Sequence, residues 1–260
     1  MDIILLISFC FGAIVGSFLN VVILRLPEEG RSIVLPASHC PQCKNLLHWY
    51  DNIPILSYLF LLGRCRTCKK KISIQYPLVE LSMGLLSLGL MSRFGPGMDF
   101  AAYFLFCAAL LVIIWIDFYH QIIPDSISLP GIITGFLFAL VSPTIAWQDS
   151  LIGLLVGGGL LYLIAWGYFL LRRQEGMGGG DIKLLAMLGA FLGWQALPFI
   201  VLASSLSGSI VGLTAMLIGG SNMQTRIPFG PFLALAAMGY LFFSDQIQYV
   251  FYLYLSGALF

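Results

Sequence analysis

Charge is scarce in this chain. Asp, Glu, Lys and Arg make up 10% of its 260 residues, where globular domains carry about 25%. Hydrophobic residues reach 59%. A soluble globular domain is excluded, and a multi-pass membrane protein with lipid as its surroundings is expected. The net charge of +1 gives no overall pull toward nucleic acid, so no nucleic-acid partner is expected. No basic segment precedes the first apolar run, and that run is long enough to span a bilayer. A cleavable signal peptide is therefore not expected. No internal repeat, low-complexity tail or soluble linker breaks the pattern. Gly157-Gly158-Gly159 is not a dinucleotide motif, because no strand precedes it.

What is abundant is apolar sequence in lengths that cross a membrane. A span needs about 20 residues. Eight segments qualify: 3–24, 77–95, 99–117, 126–145, 150–171, 182–198, 199–219 and 231–256. The sixth and seventh join tightly at Gly193 to Pro198. Ser244-Asp245-Gln246 interrupts the eighth. The expected fold is all-α and polytopic, with about eight transmembrane helices and one small zinc-binding loop domain in the cytosol. Three parts are expected: a first helix over 1–25, a cysteine-rich loop over 26–76, and a transmembrane domain over 77–260.

The few basic residues set the orientation. Arg25, Arg31, Lys44, Arg64, Arg66, Lys69, Lys70 and Lys71 fall in one loop. Arg172, Arg173, Lys183 and Arg226 fall in or beside other loops on the same side, and Arg93 falls opposite. Cytosolic loops carry such an excess. The loop is therefore expected in the cytosol and both termini on the other side.

Cysteine is also sparse. Cys10 and Cys107 lie within spans as small apolar side chains. The other four form Cys40-Pro41-Gln42-Cys43 and Cys65-Arg66-Thr67-Cys68. Two such pairs, each with two intervening residues, are the signature of a tetrahedral zinc site. A reducing cytosol disfavours disulfides. Four thiolates leave no open position on the ion, so the expected zinc is structural. It would fold a loop too small to build its own core. His39 and His48 read as solvated loop histidines. The stretch from Asp51 to Leu62 could form a short helix lying on the bilayer surface.

Two aspartates carry the chemistry. Asp117 closes the run Ile113-Ile114-Trp115-Ile116, and Asp181 closes Gly176-Met177-Gly178-Gly179-Gly180. Both sit where an apolar segment meets the expected cytosolic edge. An acid at that depth is costly and marks a functional site. Singly, Asp117 is explained as a helix-end residue and Asp181 as an N-cap. Together they fit a peptidase, in which one carboxylate activates water and its protonated partner donates to the carbonyl. Gly178, Gly179 and Gly180 would let a substrate strand approach closely. Asp125, after Ile122-Ile123-Pro124, reads as a helix cap. Glu80 lies one turn into the second span and needs a partner. It could meet a cationic substrate group or pair with Lys183. His120 reads as an interfacial loop histidine, and Arg226 as a headgroup anchor.

Taken together, these residues resemble the prepilin peptidase family, the leader peptidases and N-methyltransferases of type IV pili and type II secretion. The resemblance rests on Gly16 to Asn20, the paired cysteines, Tyr76 to Glu80, and Ile-Asp followed by Ile-Pro-Asp. It also rests on the Gly-rich motif before Asp181 and Lys183, and on Ile227 to Phe232. It covers nearly the whole chain. It implies an intramembrane aspartyl protease of the bacterial inner membrane, with Asp117 and Asp181 as its catalytic pair. The implied substrates are prepilins and pseudopilins, cut after a glycine behind a short basic leader. The resemblance further implies methylation of the new N-terminus with S-adenosylmethionine. Nothing else in the sequence points to that reaction, and the loop is too short for a Rossmann-type cofactor site. A membrane transporter using the same aspartates to relay protons or bind cations is the competing reading.

Overall fold

The computed structural model describes residues 2–28, 30–173, 178–219 and 228–255, and outside the cysteine loop it is almost wholly helical. Its α-helices in chain order are α1 Asp2–Arg25, α2 Leu56–Phe60, α3 Gln75–Phe94, α4 Met98–His120 and α5 Asp125–Val141. They continue with α6 Trp147–Arg172, α7 Gly179–Leu192, α8 Leu197–Gly219 and α9 Gly230–Leu255. Apart from the short α2, each long helix lies over one expected apolar segment. No strand occurs among the described residues, only two isolated β-bridges in the cysteine loop.

The breaks between helices are set by local chemistry. Gly193 ends α7 at φ 78, and a single 3-10 turn, Trp194–Ala196, leads into α8. That backbone angle suits glycine because it has no Cβ. α5 follows Pro124, whose extended backbone keeps it outside the helix. α9 runs on through Ser244-Asp245-Gln246 but bends at Phe243 (φ −121, ψ 23). Among the described residues, four segments are long and apolar enough to cross a membrane: Asp2–Arg25, Met98–His120, Trp147–Arg172 and Trp194–Ile218; Asp125–Val141 is apolar but shorter. This is a membrane protein.

The chain divides into two compact units, Met1–Val112 and Ile113–Phe260, with the boundary inside α4. In the first unit α1 packs along α3. Small residues let the backbones approach. A Cβ at Gly16 would lie 2.8 Å from Glu80 Cα, and one at Gly12 would lie 2.6 Å from the Met83 carbonyl oxygen. Ser8 Oγ donates to the Ser87 carbonyl (2.9 Å) and Ser87 Oγ to the Ser8 carbonyl (2.8 Å), so neither buried hydroxyl is left unpaired. In the second unit α7 is the central helix, with Leu184, Leu185, Met187 and Leu188 fully buried. It packs against α5 and α6. Ser150 Oγ on α6 donates to the Ala190 carbonyl on α7 at 2.6 Å.

Candidate active site and metal centre

Asp117 sits in the last turn of α4, buried to 5% exposure. Such a carboxylate requires a donor, and the backbone N–H of Gly230, at the start of α9, donates to its Oδ2 at 3.0 Å. A Cβ at position 230 would lie 2.7 Å from that same oxygen and 3.1 Å from Ile123 Cδ1. Asp181 lies in the first turn of α7 and is half-buried. It is not the N-cap of that helix, because Gly178 holds that position. The N–H of Asp181 closes a turn onto the Gly178 carbonyl at 3.2 Å.

Ile123 joins the two sides. Its Cβ lies 2.9 Å from where a Cβ on Gly180 would be, while its Cδ1 reaches Gly230. Asp117 and Asp181 are near enough to interact electrostatically. The packing of α4, α7, α9 and the Ile123 segment thus brings together two acids 64 positions apart in sequence. Gly178 and Gly179 are exposed beside them, with no atom within 4 Å of an added Cβ at either position. Ile123 and Gly230 were not singled out from the sequence as parts of this site. The signal available was the proline that follows Ile123 and the Pro-Phe-Gly-Pro run that contains Gly230. Arg226, Gly176 and Met177 lie outside the described residues.

Lys183 and Asp125 turn out to be partners. Lys183 Nζ lies 2.7 Å from both carboxylate oxygens of Asp125. Lys183 therefore does not pair with Glu80. Asp125 is not a side-chain cap either: Pro124 holds the N-cap position of α5 and no side-chain cap bond forms there. Glu80, in the other unit, is buried and accepts the N–H of Ile55 at Oε2 (2.7 Å) and a hydrogen bond from Ser17. Ile55 has φ 62, an unusual angle for a β-branched residue, so Glu80 anchors a strained point of the loop onto α3. His120 is exposed at the end of α4.

The four loop cysteines converge. Their Sγ atoms all lie within 4.8 Å of one another, and Cys40 and Cys65 are buried. Cys40 Sγ is 3.9 Å from Cys68 Sγ, and Cys43 Sγ is 4.0 Å from Cys65 Sγ. A disulfide needs about 2.05 Å. A tetrahedral ion with Zn–S-type bonds of about 2.3 Å would set its sulfurs roughly 3.8 Å apart. The cluster therefore fits a metal ion and no disulfide.

The two pairs are built alike. The Lys44 N–H donates to the Cys40 carbonyl (2.8 Å) and the Cys40 N–H to the Asn45 carbonyl (2.9 Å). The Lys69 N–H donates to the Cys65 carbonyl (3.0 Å) and the Cys65 N–H to the Lys70 carbonyl (2.9 Å). Lys44 and Lys69 take matching left-handed angles, φ 57 and φ 58. Each turn aims two sulfurs at one point. Backbone N–H groups of Cys68 and Thr67 bring the Cys65 thiol down, whereas at Cys43 the Asn45 backbone is outweighed by burial and the neighbouring sulfurs, which push the thiol up.

Comparison with known proteins follows this geometry. A family model described as the bacterial peptidase A24 N-terminal domain matches residues 10–94, and one described as the type IV leader peptidase family matches residues 104–213. The prepilin leader peptidase/N-methyltransferase of Aeromonas hydrophila is 40% identical, over 92% of this chain and 90% of that protein. This chain belongs to the type IV leader peptidase family. Its relatives include the prepilin leader peptidase/N-methyltransferases of Burkholderia pseudomallei strain K96243, 40% identical over 95% of this chain and 86% of that one, and of Pseudomonas aeruginosa, 39% identical over 93% and 91%. No solved structure matches. Family membership gives the transporter reading no support.

Proposed function

We propose that this leader peptidase family member cleaves the basic leader from prepilins and pseudopilins with Asp117 and Asp181, and methylates the N-terminus so exposed. The observation that carries the proteolytic assignment is the convergence of the two acids beside an exposed glycine turn. At close range two carboxylates share one proton, since both cannot ionise cheaply. The ionised member takes a proton from water as its oxygen attacks the scissile carbonyl carbon. The protonated member donates to the carbonyl oxygen. The tetrahedral species then collapses and the C–N bond breaks: the leaving amine takes up the proton held by the first carboxylate, and one hydroxyl on the tetrahedral carbon returns its proton to the second carboxylate, leaving a carboxyl group and restoring the pair. Gly178 to Gly180 offer the flank along which the substrate backbone would lie.

The proposed setting is the bacterial inner membrane, with the cysteine loop in the cytosol and both termini opposite. The excess of basic residues in the loops supports this orientation. A prepilin's basic leader would then stay inside while its apolar helix enters the bilayer, and the scissile bond would fall at the depth of the aspartates. We assign residues 26–76 as a loop domain folded around one structural zinc on Cys40, Cys43, Cys65 and Cys68, and residues 77–260 as the peptidase domain. With four thiolates the ion would carry no open site, and its contribution is to hold the loop. S-adenosylmethionine is the proposed methyl donor. The described residues present no set that fits it specifically, so methyl transfer carries no residue assignment.

The test is to incubate the purified enzyme in lipid with a prepilin bearing a Gly-Phe junction and to follow leader and N-terminus by mass spectrometry. Leader loss in wild type, and none in Asp117→Asn or Asp181→Asn, is expected. Equal cleavage by all three would overturn the assignment of the aspartates.

A further inference from the structure

The loop that follows α1 holds a pocket that neither the aspartates nor the cysteine cluster uses. It has a volume of about 290 Å³, and Arg25, Arg31, His39 and Lys44 stand on its walls. Among the described residues no carboxylate lines it. Arg25 is the last residue of α1 and is held open by backbone alone. Its Nη1 donates to the Ser32 carbonyl (3.2 Å) and its Nη2 to the Pro36 carbonyl (2.8 Å). Lys44 has no acidic partner among the described residues. Arg31 contacts Glu28 at 2.7 Å, but both side chains are more than half exposed, and such a pair is held weakly. Among the described residues, three positive side chains line one cavity, offset only by Glu28 at Arg31.

The same loop carries an exposed apolar turn, of which Leu35 also lines the pocket. Ser32 Oγ accepts the N–H groups of Val34 (3.1 Å) and Leu35 (3.2 Å), folding a tight turn. That turn leaves Val34 74% and Leu35 70% exposed, next to Ile33 at 37%. Three consecutive exposed aliphatic side chains are unfavourable in water. They adjoin the end of a helix long and apolar enough to cross a membrane.

We propose that this pocket binds the headgroup phosphate of an anionic phospholipid, with Val34 and Leu35 set among the acyl chains. A soluble anion would account for the cations and leave the aliphatic turn unexplained. A bare hydrophobic anchor would account for the turn and leave three converging cations unexplained. A phospholipid accounts for both, and basic groups at a membrane edge draw anionic headgroups toward them. The inference does not depend on the aspartyl chemistry. It gives the loop a second fixed point on the bilayer besides α1 itself.

The test uses delipidated full-length enzyme in detergent. Binding of phosphatidylglycerol, phosphatidylcholine and inorganic phosphate is measured by native mass spectrometry. The variants are Arg31→Gln, and Val34→Ser with Leu35→Ser. Lys44 is left intact because its N–H closes the turn of the first cysteine pair, and Arg25 because it organises the loop. Bound metal and prepilin cleavage, expected unchanged, report that each variant is folded. Wild type should hold phosphatidylglycerol at least fivefold tighter than phosphatidylcholine. Losing the Arg31 cation should weaken it roughly fivefold, the worth of one basic side chain near a membrane surface. The serine pair should weaken lipid binding as well. Undiminished phosphatidylglycerol binding by Arg31→Gln would overturn the proposal. So would inorganic phosphate displacing the lipid while the serine pair has no effect, which would mark the pocket as a site for a soluble anion.

Discussion

The backbone N–H of Gly230 donates to Asp117 Oδ2 across 3.0 Å, tying the start of α9 to the end of α4. The bond holds a buried carboxylate in one orientation and leaves no room for a side chain at position 230. Gly230→Ala would place a methyl 2.7 Å from that oxygen. We expect cleavage to fall about 100-fold, because a displacement of about 1 Å in a catalytic group costs that much. Steady-state kinetics with a prepilin substrate, beside a thermal melt showing the fold retained, checks this.

Removing either acid should be more severe. Asp117→Asn and Asp181→Asn are each expected to lower kcat by about 1,000-fold or more, near the upper range for loss of general acid–base catalysis. Because the two act as one unit, the double variant should be little worse than either single one. Additive losses in single-turnover cleavage would show that they act independently.

The loop should depend on its metal. Elemental analysis is expected to return one zinc per chain, and Cys40→Ser or Cys65→Ser to lose it. Without the ion, the segment from Cys40 to Cys68 has only short turns and few buried apolar groups to hold it. Limited proteolysis should then cut between those residues in the variants and in chelator-treated enzyme, but not in the metal-loaded wild type.

Glu80→Ala should destabilise the first unit by about 1–3 kcal/mol, the cost of leaving a buried donor, the Ile55 N–H, without its acceptor. Glu80→Gln keeps an oxygen in place and should recover most of the loss. Equal melting shifts for the two substitutions would show that the charge, and not the acceptor, is what matters there.

The Lys183–Asp125 pair should contribute less. With Lys183 side-chain exposure at 37% and Asp125 at 56%, solvent screens the attraction. Lys183→Gln is expected to cost under about 1 kcal/mol of stability. Hydrogen exchange should show the start of α5 loosening before the rest of that helix.

Several features were legible because they depend on local pattern. Long apolar runs predict helices, and each long helix lies on its expected segment. Two cysteines separated by two residues can turn onto one ion without help from distant chain, so the cluster could be read from spacing. Other features depended on neighbours that no local pattern names. Asp125 and Lys183 lie 58 positions apart, and only the packing of α5 on α7 brings them together. Glu80 finds the Ile55 N–H because the loop folds back over α3.

The amino-acid sequence by itself determined that this chain belongs in a membrane, that it is helical, and that four thiols are spaced so that they could meet at one ion. Each follows from burial free energy or from short-range geometry acting along a contiguous stretch. Tertiary structure alone decided that Gly230 supports Asp117, that Ile123 wedges between the two aspartate-bearing segments, and that Lys183 belongs to Asp125. Those contacts link helix ends far apart in the chain. They form only when close helix packing brings those ends into one small volume.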